Sequence, residues 1–484
     1  MPNKYPTRPT QLIVAAFAVL PLILNTACGE VSPTQGTPQP APQSSETRTA
    51  ARATRTPHVD ASPFAGTLDT SFGKGGKVTT NIGGSPEEAV GAIVQADGKI
   101  VVLGETWPKT KAQFAFTRYD SRGNLDTTFG EDGKLVVNVT DSEYDYSEPH
   151  ALIQQPDGKY IAVGTTLDFD AGHLVFAALR YNPDGSPDES FGEDGKALVA
   201  VDQTEGSSSE EEAHAVTLAP DGKIVLAGMT GRYPHSFATV RLNVDGTLDE
   251  SFGDGGRVVT SFPNDAMAHA VAVQPDGKVL VGGYGSDDPS TGMEGHDYTL
   301  VRYNEDGSLD DEFGRDGVVM TDFRQDRDYI EALLVLPGGK IVAAGPVYID
   351  VTFCETDACA SPGFGLAQYN PDGTPDESFG GDGKVGYRQG TDLNYDVVRL
   401  PDGKLLTAGS IDDNDAIALM LLNPDGTKVE SFGDEGLVAT QFDDFHDIGL
   451  AMTVQPDGKV IVVGSATLRQ EDMFDTDFAV IRYK

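Results

Sequence analysis

The stretch HAVAVQPDGKVLVGGY (269–284), followed by YTLVRYNEDGSLDDEFGRDGVVMT (298–321), decides the fold of this chain. It holds four short apolar runs, which we designate a (269–274), b (278–284), c (298–303) and d (318–321). The Pro-Asp-Gly between a and b predicts a turn, because proline presets φ, aspartate bonds its own backbone and glycine accepts a positive φ. Runs b and c are apolar on both faces, which is typical of strands covered on both sides. The unit therefore predicts four β-strands, without helical periodicity.

This unit recurs seven times between residues 64 and 484. Its markers are Asp-Gly-Lys, a glycine seven residues after that aspartate, and a Phe-Gly pair; the phenylalanines are Phe72, Phe129, Phe191, Phe252, Phe313, Phe379 and Phe432. In one unit Gly338-Gly339-Lys340 replaces Asp-Gly-Lys. Seven units of four strands predict an all-β, seven-bladed β-propeller, in which radial packing limits exposed sheet edges.

The two ends of the repeat region complement each other. The first segment, Phe72-Gly73 to Ile82, holds a strand d alone, whereas the chain ends after a strand c at 478–483. One strand from the front and three from the back make one blade, so we expect the N-terminal strand to pair with the C-terminal blade and close the ring. Residues 64–484 are then one domain, although 484 residues alone would suggest about three.

The ordered motifs Gln-Pro-Asp-Gly-Lys, Arg-Tyr-Asn-x-Asp-Gly-x-Leu-Asp and Phe-Gly resemble the delta-60 repeat family of bacterial exported proteins. The resemblance covers essentially all of residues 64–484 and implies a propeller module of the cell envelope. It implies no reaction, ligand or catalytic residue. One departure is local: Val429-Glu430 replaces the usual Leu-Asp before Phe432.

Composition and charge exclude several classes of protein. With 56 glycines, 29 prolines and 39% hydrophobic residues, the chain is not a collagen, a coiled coil or a multi-pass membrane protein. Its 35 basic and 75 acidic residues give a net charge of −40. Such a surface repels phosphate backbones and anionic headgroups, so we expect no nucleic-acid binding.

Residues 1–28 are typical of an export signal. Lys4 and Arg8 precede an apolar run at 12–24, which is too short to span a bilayer, and the run leads to Cys28. Small residues ending at a cysteine resemble a bacterial lipobox, although Asn25 occupies the usual leucine position. We expect Cys28 to be lipidated, with an ordinary secreted protein as the alternative. Gly29 after the cysteine favours the outer membrane.

Residues 29–63 are rich in Pro, Thr, Ser and Gln and cannot bury enough apolar area to offset chain entropy, so they predict a disordered tether. The remaining cysteines, Cys354 and Cys359, flank four residues. In an exported protein a disulfide between them is the expected arrangement, and a metal site is the alternative. We expect a monomer that contacts the membrane only through its lipid.

The Asn-x-Asp-Gly-x-x-Asp turns, such as Asn243–Asp249, resemble calcium loops because they supply oxygen ligands. Turn formation explains the same residues without an ion. Arginines recur in one phase of strand c, at Arg118, Arg180, Arg241, Arg302 and Arg482. Each needs a carboxylate partner if the sheet is covered, and the Leu-Asp acid of the repeat is the candidate; we expect these pairs to hold blades together.

His150, His214 and His269 share one phase at the start of strand a in three consecutive units, and Glu331 follows in the next unit. If strand a lines the channel, these four side chains meet near its mouth. Imidazole suits zinc, so the chain has a candidate divalent-cation site, with calcium in the turns as the other possibility. Strand-end hydrogen bonding is the competing interpretation.

Motifs of common enzyme families are missing: there is no His-Glu-x-x-His, Gly-x-Ser-x-Gly or phosphate-binding glycine loop. The single tryptophan, Trp107, argues against quinone-binding propellers. The a–b and c–d connections keep their lengths, whereas the d–a and b–c connections vary and are acidic, so recognition should lie on one face.

These observations favour a non-enzymatic binding or scaffold lipoprotein whose acidic face meets a partner protein or glycan. The first alternative is a metal-dependent hydrolase or lyase with its site at the channel mouth. The second is a secreted sensor or accessory subunit of an envelope complex.

Overall fold

Strands a to d of each repeat form one antiparallel sheet in the spatial order a-b-c-d, and seven such sheets, the blades, stand in a ring. The computed structural model describes residues 64–484 except 84–85, 109–110, 141–145, 169–170, 205–208, 288–294, 324–326, 354–357, 389–392, 412–415, 443–446 and 471–472. No helix occurs in this described part of the chain, and hence none that could cross a membrane. The predicted all-β, seven-bladed propeller is confirmed.

The strands have the following bounds. Blade 1 contains β2 (Glu87–Val94), β3 (Ile100–Thr106), β4 (Gln113–Tyr119) and β5 (Lys134–Val137), and blade 2 contains β6 (Ser147–Gln154), β7 (Tyr160–Asp168), β8 (His173–Tyr181) and β9 (Lys196–Val199). Blade 3 contains β10 (Glu212–Leu218), β11 (Ile224–Thr230), β12 (Ser236–Leu242) and β13 (Arg257–Thr260), and blade 4 contains β14 (Met267–Val273), β15 (Val279–Gly285), β16 (Asp297–Tyr303) and β17 (Val318–Thr321). Blade 5 contains β18 (Ala332–Val335), β19 (Ile341–Phe353), β20 (Ala358–Tyr369) and β21 (Lys384–Tyr387), and blade 6 contains β22 (Leu393–Arg399), β23 (Leu405–Ile411), β24 (Ala416–Leu422) and β25 (Leu437–Thr440). Blade 7 contains β26 (Asp447–Val454), β27 (Val460–Gln470), β28 (Met473–Tyr483) and, from the other end of the repeat region, β1 (Lys77–Thr80).

The ring closes as the sequence predicts. β1 pairs antiparallel with β28, with Lys77 opposite Ile481 and Thr80 opposite Phe478. The innermost strand of each blade contacts that of the next, and β26 contacts β2 across the closure. β1 therefore supplies the outer strand of the blade formed by β26, β27 and β28, so each of the seven blades has four strands.

Apolar side chains fill the space between neighbouring blades. Seven clusters of buried residues lie there, each built from strands of two adjacent blades. Strands b and c are buried along nearly their whole length, as in β11 and β24. The expectation that both faces of these strands are covered is confirmed, because each blade lies between two others.

The arginine of strand c joins adjacent blades through three contacts. Arg241 Nε donates to Asp249 Oδ2 at 2.6 Å within blade 3, and its Nη1 donates to the backbone carbonyl of Glu305, 2.6 Å away in blade 4. The guanidinium lies 4.4 Å from the ring centroid of Phe252, which adds a cation–π contact. We call this arrangement the blade clamp. It recurs at Arg118, Arg180, Arg302 and Arg482, so the prediction that these arginines hold blades together is confirmed.

The clamp aspartate also receives the lysine of Asp-Gly-Lys, with Lys223 Nζ 3.0 Å from Asp249 Oδ2. Burial by itself raises the pKa of Asp249, but hydrogen bonds from Ser251, Lys223 and Arg241 outweigh it and hold that pKa well below its usual range. The aspartate is therefore ionised whenever the protein is near neutral pH. The repeated lysine, arginine, aspartate and phenylalanine thus all serve one inter-blade contact.

Two blades lack the arginine of the clamp. In blade 5, Gln368 replaces the arginine and still donates to Asp376. In blade 6 both charged positions are apolar, Leu421 and Val429. Val429 takes the place of the aspartate, so Lys428-Val429 replace Leu-Asp, and the expected alignment with Val429-Glu430 was wrong by one residue. The backbone hydrogen bond from Val429 N to Leu421 O, 2.8 Å, is kept. Loss of the cation is thus accompanied by loss of the anion, as expected where an unpaired buried charge is costly.

We expect Arg241→Leu to lower the free energy of unfolding by about 3 kcal/mol, because it removes one partner of a buried ion pair. The double variant Arg241→Leu/Asp249→Val copies blade 6 and should recover most of that loss. Urea midpoints measure both, with Arg232→Leu at an exposed loop position as the control that changes stability by less than about 0.5 kcal/mol. A double variant no more stable than the single one would contradict the clamp.

Candidate functional site

The innermost strands share one irregularity near their start. The ladder between strands a and b skips one residue, a β-bulge, in six blades; the skipped residues are Val90, His150, His214, His269, Tyr395 and Leu450. Glu331 takes the corresponding place in blade 5, just before β18. A bulge re-aims a side chain relative to the regular pleat, so these residues form a set distinct from the rest of the strand. The three predicted histidines are three of its members.

The glycine seven residues after the aspartate of Asp-Gly-Lys faces this bulge. A Cβ on Gly164, Gly228 or Gly283 would lie 1.9, 1.7 or 1.9 Å from the carbonyl oxygen of the residue two before the bulge. Any side chain there would collide with the backbone of strand a. The repeated glycine therefore permits the bulge, and the bulge places the histidines.

The four predicted residues form one continuous row across blades 2 to 5. The ring centroids of His150 and His214 are 4.7 Å apart, and those of His214 and His269 are 5.2 Å apart with the planes within 8° of parallel. His269 Nδ1 lies 3.0 Å from Glu331 Oε2. Equivalent positions in adjacent blades are thus close enough for their side chains to touch.

One further carboxylate belongs to this row and was missed by the sequence reasoning. Glu212 Oε2 lies 3.4 Å from His214 Nε2, and one ligand atom each of Glu212, His214 and His150 lie within 4.8 Å of one another. The signal was present, since Glu212 precedes His214 by two residues and alternate residues of a strand share a face. It was obscured because Glu210 to Glu212 resembles a solvated charge run.

Burial and neighbouring charges set the protonation of the row. Burial, together with the adjacent His214, lowers the pKa of His150 to about 3, so this imidazole is neutral at physiological pH. Burial lowers the pKa of His269 too, but the Glu331 carboxylate outweighs it and the net shift is upward. Neutral imidazole next to an ionised carboxylate is the donor set that borderline-soft divalent cations prefer.

An aromatic group adjoins the row on blades 4 and 5. Tyr284 lies 5.7 Å from the His269 ring and stacks on His296 at 4.4 Å, with Tyr329 5.0 Å away. Its hydroxyl donates to Asp265 Oδ2 at 3.2 Å. The row, Glu212 and these aromatic residues make up what we call the channel mouth.

The mouth extends to the loops of blades 1 and 2. Trp107 packs edge-on against Tyr146, with centroids 6.3 Å apart, and the Tyr146 hydroxyl donates to Glu148. Glu148 precedes His150 by two residues, as Glu212 precedes His214. Blade 2 therefore adds an aromatic pair and a carboxylate to this end of the channel.

Part of the predicted acidic face is not solvated. Glu211 and Asp328 are fully buried, and each accepts two backbone N–H groups. Glu211 accepts those of Val201 and Asp202 in the preceding d–a connection, at 2.7 and 2.6 Å. Asp328 accepts that of Phe323 in its d–a connection at 2.9 Å and that of Tyr348 in β19 at 3.1 Å. Burial raises the pKa of Asp328 to about 7. Glu87 and Asp447 brace their own d–a connections in the same way, three residues before the bulge position. These acids shape the loops and are not available to a partner.

The calcium-like turns close on themselves. Asp245 Oδ1 accepts the backbone N–H and hydroxyl of Thr247 at 3.1 and 2.6 Å, while Asn243 Nδ2 donates to the Thr247 hydroxyl at 3.0 Å. The last aspartate, Asp249, belongs to the blade clamp. Asp245 Oδ1 and Asp249 Oδ2, two of the oxygens that a cation would use, are engaged within the turn and in the blade clamp, which supports the turn interpretation.

A groove among the described residues lies apart from the channel mouth. It encloses about 870 Å³ beside the outer strands of blade 3 and is lined by Asp202, Glu250, Arg257 and Val259 among others. None of the channel-mouth residues lines it. Its size alone carries no chemistry, so the mouth remains the candidate site.

The export signal at 1–28 lies outside the described residues, and three further predictions fall wholly or partly outside them. They are the lipidated Cys28, the tether at 29–63 and the disulfide, whose Cys354 is not described; Cys359 lies in β20 opposite Thr352. All four stay predictions.

Comparison with known proteins supports a β-propeller repeat family. A family model described as "Domain of unknown function (DUF5122) beta-propeller" matches residues 95–129, 155–191, 219–252, 274–313, 360–379, 400–432 and 455–484. No curated protein matches the sequence.

Solved structures with similar backbones are distant. A protein of unknown function from Dyadobacter fermentans is 12% identical, with a TM-score of 0.36 over 84% of this chain and 98% of its own. The polysaccharide lyase Uly1 is 9% identical, with a TM-score of 0.43 over 89% of this chain and 96% of its own. The propeller domain of the Trilobed protease from Pyrococcus furiosus is 9% identical, with a TM-score of 0.40 over 80% of this chain and 91% of its own. At these values they carry no argument about activity.

The bulge predicts a difference between two glycines of one strand. Gly283→Ala should lower the free energy of unfolding by about 3 kcal/mol, because its Cβ would lie 1.9 Å from the Met267 carbonyl oxygen. Gly285→Ala is the matched control, since its Cβ would meet only side-chain atoms of Thr299 and Phe262, at 3.3–3.5 Å, and no backbone atom. Denaturant midpoints check the pair; equal effects would refute the role of the glycine in the bulge.

Proposed function

We propose that this protein is a non-catalytic binding propeller of the bacterial cell envelope, tethered by a lipid on Cys28, which binds a basic segment of a partner protein at its channel mouth. The observation that carries the proposal is a division of the molecule into two faces. The motifs that repeat from unit to unit are used between blades, whereas the chemically distinctive, non-repeating side chains gather at one end of the channel.

The loop lengths support the same division. Every a–b connection spans the same number of residues, as at 274–278, and the c–d connections within blades 1 to 6 do likewise, as at 304–317. The d–a and b–c connections vary, and they open at the end where strand a begins, which is the end of the channel mouth. Variable loops on a rigid scaffold are the usual location of recognition.

Charge decides the class of partner. Glu148, Glu212 and Glu331 lie on strand a or just before it, and the whole chain carries a net charge of −40. Such a field attracts basic segments over long range and repels polyanions. The half-buried Tyr284 and Tyr329 add faces on which arginine or lysine side chains can stack.

The single tryptophan gives a direct test of this proposal. Because Trp107 packs on Tyr146 at the mouth, a lysine-rich peptide should change its fluorescence saturably and with an affinity that falls as salt rises. Glu148→Gln should weaken that affinity about tenfold. Glu131→Gln, on an exposed turn of the opposite face, removes the same charge and should leave it unchanged. No response to the peptide, or a saturable response to neutral oligosaccharides alone, would refute a basic partner.

The tether has its own test. Cys28→Ser should release the protein from the membrane fraction of the producing cell, because the thiol is the acylated atom. Fractionation followed by immunoblotting measures this, with Cys359→Ser as the cysteine control that stays with the membrane. Retention of the Cys28→Ser protein would refute the lipid anchor and leave the channel-mouth proposal untouched.

The alternative function, a metal-dependent hydrolase or lyase, is favoured by one observation. The row places three imidazoles and two carboxylates at the channel mouth, where a bound cation would meet a ligand. That alternative requires that the donor atoms of the row bind the cation.

A further inference from the structure

The imidazoles of the row have unused nitrogens. Nε2 of His150, of His214 and of His269 is buried, and none of them has a hydrogen-bond partner among the described residues. A buried polar atom without a partner costs about 1–3 kcal/mol, so three of them side by side call for an explanation.

Hydrogen bonding within the row does not provide one. His150 and His214 contact each other through their rings at 4.7 Å, and His214 Nε2 is 3.4 Å from Glu212 Oε2 without the alignment of a hydrogen bond. The expectation that strand-end hydrogen bonding accounts for these histidines therefore fails for His150 and His214. His269 differs, because its Nδ1 is occupied by Glu331 at 3.0 Å.

The geometry points to a zinc site: we propose that His150 Nε2, His214 Nε2 and a carboxylate oxygen of Glu212 bind one Zn²⁺ between blades 2 and 3. One ligand atom of each residue already lies within 4.8 Å of the others. Two imidazoles and a carboxylate are a recognised zinc donor set, whereas calcium and magnesium take oxygen ligands.

The surroundings suit such a site. The side chains of His214 and Glu212 are 15% and 28% exposed, so both reach the surface of the channel mouth although the Nε2 atoms themselves are buried. His269 stacks parallel to His214 and takes its orientation from Glu331, which places a second imidazole–carboxylate pair beside the ligand set. Three protein ligands leave the fourth position of a tetrahedral zinc open toward the mouth.

This inference is independent of the proposed partner, since zinc can bind whether or not a basic segment docks. The first measurement is a titration of the full-length protein with Zn²⁺ against a chromophoric chelator, after treatment with EDTA. We expect one zinc per chain at submicromolar affinity. Substitution with Co²⁺ should give the strong visible absorption of a tetrahedral site.

Matched variants separate this site from adventitious binding. Glu212→Gln and His150→Ala should each weaken zinc binding at least tenfold and abolish the tetrahedral cobalt spectrum. Glu210→Gln, two residues away and 53% exposed, and His235→Ala, which pairs with Asp265 outside the row, should leave both unchanged. Circular dichroism checks that the variants fold. If His150→Ala does not fold, Glu212→Gln, which preserves the shape of the side chain, still tests the site.

Two results would overturn the proposal. One is the absence of stoichiometric zinc binding by the wild-type protein. The other is zinc binding that persists in both Glu212→Gln and His150→Ala, which would assign the metal to other residues. Neither result bears on the fluorescence titration with the lysine-rich peptide, so the failures of the two proposals can be told apart.

Discussion

The ring depends on an arginine that is buried between two blades and satisfied from both. Arg241 pairs with Asp249 in its own blade and donates to the Glu305 backbone carbonyl in the next. At the closure Arg482 does the same with Asp69 and the Ser121 carbonyl, so the blade formed from both chain ends is held like the others. Because a buried guanidinium must keep its hydrogen-bond partners, each clamp fixes the position of the following blade.

That constraint explains why the two faces of the propeller differ. The turns that carry the Asn-x-Asp-Gly, Phe-Gly and Asp-Gly-Lys motifs all lie at the clamp end of the blades, where Gly253 N also donates to the Asp306 carbonyl of the next blade. Changes there disturb two blades at once. No clamp residue lies in the described parts of the opposite connections, and these connections vary in length and charge. The side chains that do not repeat from unit to unit are therefore found at the channel mouth.

Much of this was predictable, and the failures concern two neighbouring glutamates. Turn residues and apolar runs predicted the strands of blade 4 to within two residues, and the shared phase of His150, His214 and His269 predicted their meeting. Glu212 was missed as a ligand candidate and Glu211 was taken for solvated surface, although it is fully buried. Glu212 could have been found from its spacing to His214, whereas nothing in the run of glutamates marks Glu211 as buried.

By itself, the sequence determined the seven units, their strand order, the closing strand and the pairing of arginine with aspartate. The reason is that turn residues and hydrogen-bonding groups act within one repeat and recur in the sequence of nearly every unit. Only the tertiary structure decided that neighbouring imidazoles lie 4.7 and 5.2 Å apart, that their Nε2 atoms have no partner, and that four acids brace the loops. Distances between blades follow from how closely whole sheets pack around the channel, and no single repeat contains that information.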